Sequence, residues 1–142
     1  MRRALDLAAV AADSGEVPVG AVITCDGEIV AEARNAMRGQ LDPTAHAEIV
    51  AIRHAATRLG RDRLDGCELW VTLEPCAMCA AAMSLARISK VTFAAEDPKG
   101  GGVVHGARVF NQPTCHHRPE VFSGIGEGEA AEQLKAFFAA RR

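Results

Sequence analysis

Cys76 and Cys79 stand three apart in the stretch LEPCAMCAA, directly behind Pro75. A Cys-x-x-Cys pair can be a redox dithiol, half of a four-cysteine structural zinc site, or two ligands of a three-ligand zinc site with one open position. The four-cysteine reading needs a second close pair, and Cys25, Cys67 and Cys115 are scattered along the sequence. A redox dithiol explains nothing else in the chain. Haem attachment is excluded, because Ala80 follows Cys79 where a histidine is required.

A third ligand is available upstream. The stretch TAHAEIVAI carries His46, thirty residues before Cys76, and Glu48 two residues beyond it. One imidazole and two thiolates make a neutral zinc site with three protein ligands. The fourth position is then free for a water, whose ionisation the metal brings near neutral pH. A carboxylate that does not bind the metal can carry protons between that water and a substrate. Alone, a buried histidine is more often a core residue, and a helical glutamate usually faces water. Together, His-x-Glu followed by Pro-Cys-x-x-Cys is the signature of the zinc-dependent nucleobase deaminases.

Such a site needs elements that bring its parts together. Residues two apart on a regular helix do not share a face. The difficulty eases in a first turn, where side chains lean toward the N-terminal end. Asp42 as N-cap and Pro43 at the first helical position predict a helix over 44–59, ended by Gly60. Pro75 predicts a second helix over 76–88. Two helix N-termini would then converge on the metal, and their positive ends favour thiolate.

Around them, an amphipathic helix should end near Ser14 and Gly15. Strands are predicted over 19–24 and 28–33, joined at Asp26-Gly27. Further strands fall over 67–73 and 90–96, and DPKGGG (97–102) reads as a loop. Residues 103–123, with ARVF and NQPTCHHRPE, are assigned no element. Cys115, His116 and His117 read there as a polar loop rather than a second metal site. The last helix covers 127–142, with acids early and bases late. Strands alternating with helices predict an α/β layered domain around one sheet.

At 142 residues the chain is expected to form one domain over 1–142. Its 49% hydrophobic content supports a core, and no apolar run approaches the roughly 20 residues of a membrane helix. No export signal is evident, so the expected compartment is the cytoplasm. That, with an odd cysteine count, argues against a disulfide framework. A net charge of −2 excludes binding nucleic acid through bulk positive charge. Any RNA contact must be local. The candidates are RLGRDR (58–63), Lys99 and the tail KAFFAARR (135–142), where Phe137 and Phe138 could form a stacking strip.

With these residues in view, the chain resembles the cytidine deaminase superfamily, and more closely the bacterial tRNA-specific adenosine deaminases. The resemblance runs through EVPVGAV (16–22), Asn35, DPTAHAEI (42–49), LWVTLEPCAMCAAAM (69–83), ARISKV (86–91), DPKGG (97–101), HHRPEV (116–121) and FFAARR (137–142). The zinc motifs belong to the whole superfamily, whereas EVPVGAV, HHRPEV and FFAARR point to the tRNA branch. The resemblance implies a three-layer α/β/α cytidine deaminase-like fold with a mixed five-stranded sheet. It implies one zinc ion per chain on His46, Cys76 and Cys79, with Glu48 as proton shuttle. Asn35 matches a residue that hydrogen-bonds the flipped base, and Ala47 a position whose backbone faces it. It further implies a homodimer acting on the tRNA anticodon loop, converting adenosine to inosine at the first anticodon position. The chain departs from the family at His116-His117-Arg118, commonly Asn-His-Arg, and at Val104-His105-Gly106, commonly Gly-Ser-Leu. The competing expectations are a deaminase of a free base or nucleoside (guanine, cytosine or cytidine), a non-catalytic RNA-binding module with structural zinc, and a thiol redox protein.

Overall fold

The computed structural model describes residues 1–142. In chain order the elements are α1 (Arg2–Asp13), β1 (Gly20–Cys25), β2 (Glu28–Arg34), α2 (Met37–Gln40), α3 (Ala47–Leu59), β3 (Cys67–Leu73), α4 (Ala77–Leu85), β4 (Lys90–Ala95), a 3-10 turn (Val109–Asn111), β5 (Glu120–Ser123) and α5 (Glu127–Ala139). The strands form one mixed five-stranded sheet in the order β2-β1-β3-β4-β5. β1 runs antiparallel to β2 and β3, while β3, β4 and β5 run parallel. Helices α1 and α5 cover one face, and α3 with its neighbour α4 covers the other. The result is the expected three-layer α/β/α arrangement.

Burial explains the layering. β3 and β4 lie inside the sheet, so apolar residues of both faces are covered, as in parallel sheets generally. Leu69, Val71, Val91 and Phe93 are fully buried, and each such side chain contributes about 1.5–3 kcal/mol. The main core lies between the sheet and the α3/α4 layer. On the other face, α1 buries Ala4, Leu5, Leu7, Ala8 and Ala11 at helical spacing. α1 sits so close to β1 that a Cβ at Gly20 would overlap the Ala4 carbonyl oxygen. Only glycine permits that approach.

Several expectations need correction. Helix α3 begins at Ala47, not at residue 44. The Asp42 side chain is not its N-cap: Oδ1 accepts from the Thr44 N–H and hydroxyl, closing a local turn. The Ala45 carbonyl meanwhile accepts from Ala36 N–H, which ties the residue before His46 to the end of β2, and His46 itself has extended backbone. The second helix begins at Ala77, after Pro75 and Cys76. It stops at Leu85 rather than residue 88, and Arg87 adopts a left-handed φ of 62°. The segment left without elements holds the 3-10 turn and β5, all four of whose residues are exposed. α2 occupies the loop after β2.

The cysteines also differ from expectation. Cys25 and Cys67, scattered in sequence, are register partners on β1 and β3 with a Cα–Cα distance of 4.5 Å, and they form a disulfide. Sequence spacing is blind to a cross-strand pair 42 residues apart.

Candidate functional site

The two helix starts determine the site. His46 is the N-cap of α3 with extended backbone (φ −67°, ψ 151°), and Cys76 is the N-cap of α4 (φ −70°, ψ 173°). Glu48 lies in the first turn of α3 and Cys79 in the first turn of α4. Because His46 stands outside the helix, it and Glu48 need not share a helical face. The apparent conflict of a spacing of two disappears.

His46 Nδ1 lies 3.6 Å from Cys76 Sγ and 3.5 Å from Cys79 Sγ. The three ligand atoms all lie within 4.8 Å of one another. Zinc–sulfur bonds of about 2.3 Å and a zinc–nitrogen bond of about 2.1 Å, at tetrahedral angles, place N and S about 3.6 Å apart. The donor set and its spacing therefore fit zinc with three protein ligands.

The electrostatics differ among these groups. Glu48 is 4% exposed. Burial pushes its carboxyl up to about 7, against its own backbone N–H and His46, which favour the charged form. Cys76 is pulled down to about 4, first by the hydrogen bond from Cys79 and then by His46. A thiolate at the positive end of α4 suits metal binding.

A cavity of about 250 Å³ opens beside the cluster, lined by Asn35, His46, Glu48, Leu73, Cys76 and Asp97 among others. Asn35 is buried, and its Oδ1 accepts from Ala47 N–H at 2.8 Å. That bond fixes the start of α3 and leaves the Asn35 amide nitrogen as the donor for a ligand. It also occupies the Ala47 N–H. Of the six residues singled out from the sequence, all meet at this cavity or directly behind it.

Two buried glutamates that spacing did not single out frame the same cavity. Glu16 Oε1 accepts from Arg38 and Gly39 N–H at 2.8 and 2.9 Å. Hydrogen bonds to a charged acceptor are worth about 1.5–3 kcal/mol each, and these hold α2, whose Met37 lines the cavity. Glu74 binds the loop after β4. Their signals were slight: Glu16 opens EVPVGAV, and Glu74 precedes Pro75-Cys76.

Elsewhere the structure narrows the candidates. Phe137 is buried, with the Arg141 guanidinium 3.5 Å over its ring, so only Phe138, 48% exposed, remains for stacking. Arg61 donates to the Asp65 carbonyl rather than standing free. Cys115 meets Ser84, His117 Nε2 donates to the Ile88 carbonyl, and His116 is exposed. These three side chains form no metal cluster.

Residues 1–95 match the family model of the cytidine and deoxycytidylate deaminase zinc-binding region. The chain is 53% identical to the tRNA-specific adenosine deaminase of Agrobacterium fabrum over 142 residues, covering all of this chain and 93% of that protein. It is 48% identical to the enzyme of the same name from Aquifex aeolicus, covering 97% and 91%. A solved structure from work on A-to-I editing by tRNA:A34 deaminases at the wobble position of transfer RNA superposes with a TM-score of 0.93. That match has 54% identity and covers 94% of this chain and 97% of that one. The guanine deaminase of Bacillus subtilis matches less completely, with a TM-score of 0.65 and 47% identity over 67% of this chain and 61% of that one. The mixed sheet with its helical layers is the cytidine deaminase-like fold.

Proposed function

This chain belongs to the tRNA-specific adenosine deaminases of the zinc-binding cytidine and deoxycytidylate deaminase family, and from that premise we propose how its own residues perform the reaction. The substrate is adenosine at the first anticodon position of tRNA, and hydrolysis yields inosine and ammonia. The observation that carries this reading is the His46, Cys76 and Cys79 triangle with the buried carboxylate of Glu48 beside it, on one cavity.

His46, Cys76 and Cys79 hold one zinc ion per chain. When bound, zinc supplies Lewis acidity that brings the pKa of a water to about 7. Glu48 takes a proton from the attacking water and delivers it to adenine N1 as C6 becomes tetrahedral. Glu48 then takes the second proton, from the new hydroxyl on C6, and hands it to the 6-amine; the C6–N bond breaks, the C6–O bond becomes the carbonyl of inosine, and ammonia leaves. Its raised pKa suits a group that must both accept and donate near neutral pH. The Asn35 amide donates to the base, and the Ala47 backbone, pinned by Asn35, forms part of the surface against it.

A base inside a stack cannot reach such a cavity, so the target must be flipped out or lie in a loop. Unstacked loop bases are what sequence-specific RNA recognition engages. The tRNA anticodon loop meets both needs, and with tRNA as substrate the protein works in the cytoplasm. No helix is long and apolar enough to cross a membrane. A single domain over residues 1–142 carries the site. The working form is a homodimer, with Leu85, 80% exposed on α4, as a candidate contact.

The test is incubation of the zinc-loaded protein with total tRNA, and separately with free guanine, cytosine and adenosine. Inosine in tRNA, with no turnover of free bases, is the expected outcome. Guanine turnover without inosine in tRNA would move the assignment to a free-base deaminase. Sedimentation of the same sample checks the dimer, and a monomer at micromolar concentration would refute it.

A further inference from the structure

Glu74 sits two residues before the ligand Cys76, yet none of its hydrogen bonds reaches a metal-site residue. Its side chain is fully buried. Oε1 accepts from Asp97 N–H at 3.2 Å, and Oε2 accepts from the N–H groups of Val103, Val104 and His105, each at 3.2 Å. The imidazole of His105 adds Nδ1 at 2.8 Å from Oε1. Four backbone donors and one side-chain donor therefore converge on one carboxylate.

The loop they belong to, residues 96–108, is pressed onto the metal-binding turn. Gly102 N–H donates to the Pro75 carbonyl at 2.8 Å. A Cβ at Gly101 would overlap the Glu74 carboxylate, and one at Gly102 would collide with the Cys76-Ala77 backbone. Asp97 stiffens the loop from within, its Oδ1 accepting from Lys99 and Gly100 N–H. Asp97 and Gly100 line the cavity that His46, Glu48 and Asn35 also line. Reacting groups must be held within a few tenths of an ångström of productive geometry, and a misplacement of about 1 Å can cost on the order of 10²-fold.

We propose that Glu74 is a positioning residue for substrate, whose carboxylate fixes loop 96–108 as one wall of the cavity, with His105 as its side-chain latch. The inference rests on the deaminase reading above. Glu74 moves no proton and binds no metal. It sets where the Asp97 and Gly100 wall stands relative to Glu48, and so which base geometry fits.

The test uses zinc-loaded parent protein, Glu74→Gln, His105→Ala and the double variant. Kinetics are measured on a tRNA anticodon stem-loop, with zinc content alongside. Glu74→Gln is expected to keep one zinc per chain and lose on the order of 10²-fold in kcat/KM, chiefly through KM. His105→Ala should raise KM by roughly two- to tenfold, as for one hydrogen bond. The double variant should match Glu74→Gln alone, because both act through one loop. Hydrogen exchange at the amides of residues 103–105 gives a readout independent of turnover, and protection there should fall in Glu74→Gln. Parent KM in Glu74→Gln, multiplying losses in the double variant, or unchanged amide protection would overturn the clamp. If Glu74→Gln does not fold, His105→Ala decides alone, and a parent KM there overturns it. A parent protein inactive on the stem-loop sinks the deaminase reading instead, while hydrogen exchange still judges the clamp.

Discussion

Glu48 and Glu74 are both buried, and both face the same cavity, but their surroundings give them opposite chemistry. Around Glu48 burial dominates and the carboxyl is pushed up to about 7. Around Glu74 burial also pushes upward, yet the bonds from His105 and the backbone N–H groups of Asp97, Val103 and His105 outweigh it, and the carboxyl stays below its usual range. One carboxylate is left short of partners and can exchange a proton. The other is saturated with donors and stays charged. Two identical side chains at one cavity are thus divided by solvation and hydrogen bonding alone into a proton carrier and an anchor.

The largest expected effect breaks the comparison most directly. Glu48→Ala should retain zinc and lose about 10²–10⁴-fold in kcat, the usual contribution of general acid–base help. Paired elemental analysis and inosine formation measure it. A Glu48→Ala protein that turns over at the parent rate would assign the proton transfers elsewhere.

That prediction was within reach of the sequence, whereas its counterpart for Glu74 was not. His46, Glu48, Cys76 and Cys79 announce themselves because metal ligation needs particular atoms at particular spacings. Strands 67–73 and 90–95 were legible because central parallel strands are continuously apolar. β5 was illegible: four exposed residues carry no burial pattern. The start of α3 was misread because Asp42 bonds Thr44 in a turn rather than capping a helix, and both are normal uses of aspartate. Cys25 and Cys67 meet only through the β1/β3 register. Glu74 binds amides 23 to 31 positions away, and backbone donors leave no mark on the residue types that carry them.

Stability should separate the two carboxylates by sign. In the zinc-loaded protein, Glu74→Gln replaces one acceptor oxygen with a donor facing N–H groups. Leaving buried donors without partners costs about 1–3 kcal/mol. Glu48→Gln removes a charge that burial disfavours and should leave the protein at least as stable as the parent, as expected where function holds a strained group. Urea unfolding of both variants at equal zinc loading measures the difference. If Glu48→Gln were the less stable of the two, the division of roles would fail.

The smallest expected effect sharpens the comparison at its edge. Beyond Glu74, the His105 ring points its other nitrogen at Glu96, with Nε2 3.8 Å from Oε2. Glu96 is 53% exposed at its side chain, against none for Glu74. One imidazole therefore bridges a buried carboxylate and a solvated one. Exposed pairs of this kind are worth about 0–1 kcal/mol and are screened by salt. Glu96→Gln should change unfolding free energy by less than about 1 kcal/mol, leave KM on the stem-loop at the parent value, and lose even that small effect in high salt. A Glu96→Gln variant as damaging as Glu74→Gln would mean that the surface carboxylate orients His105 and that the anchor extends to the solvent.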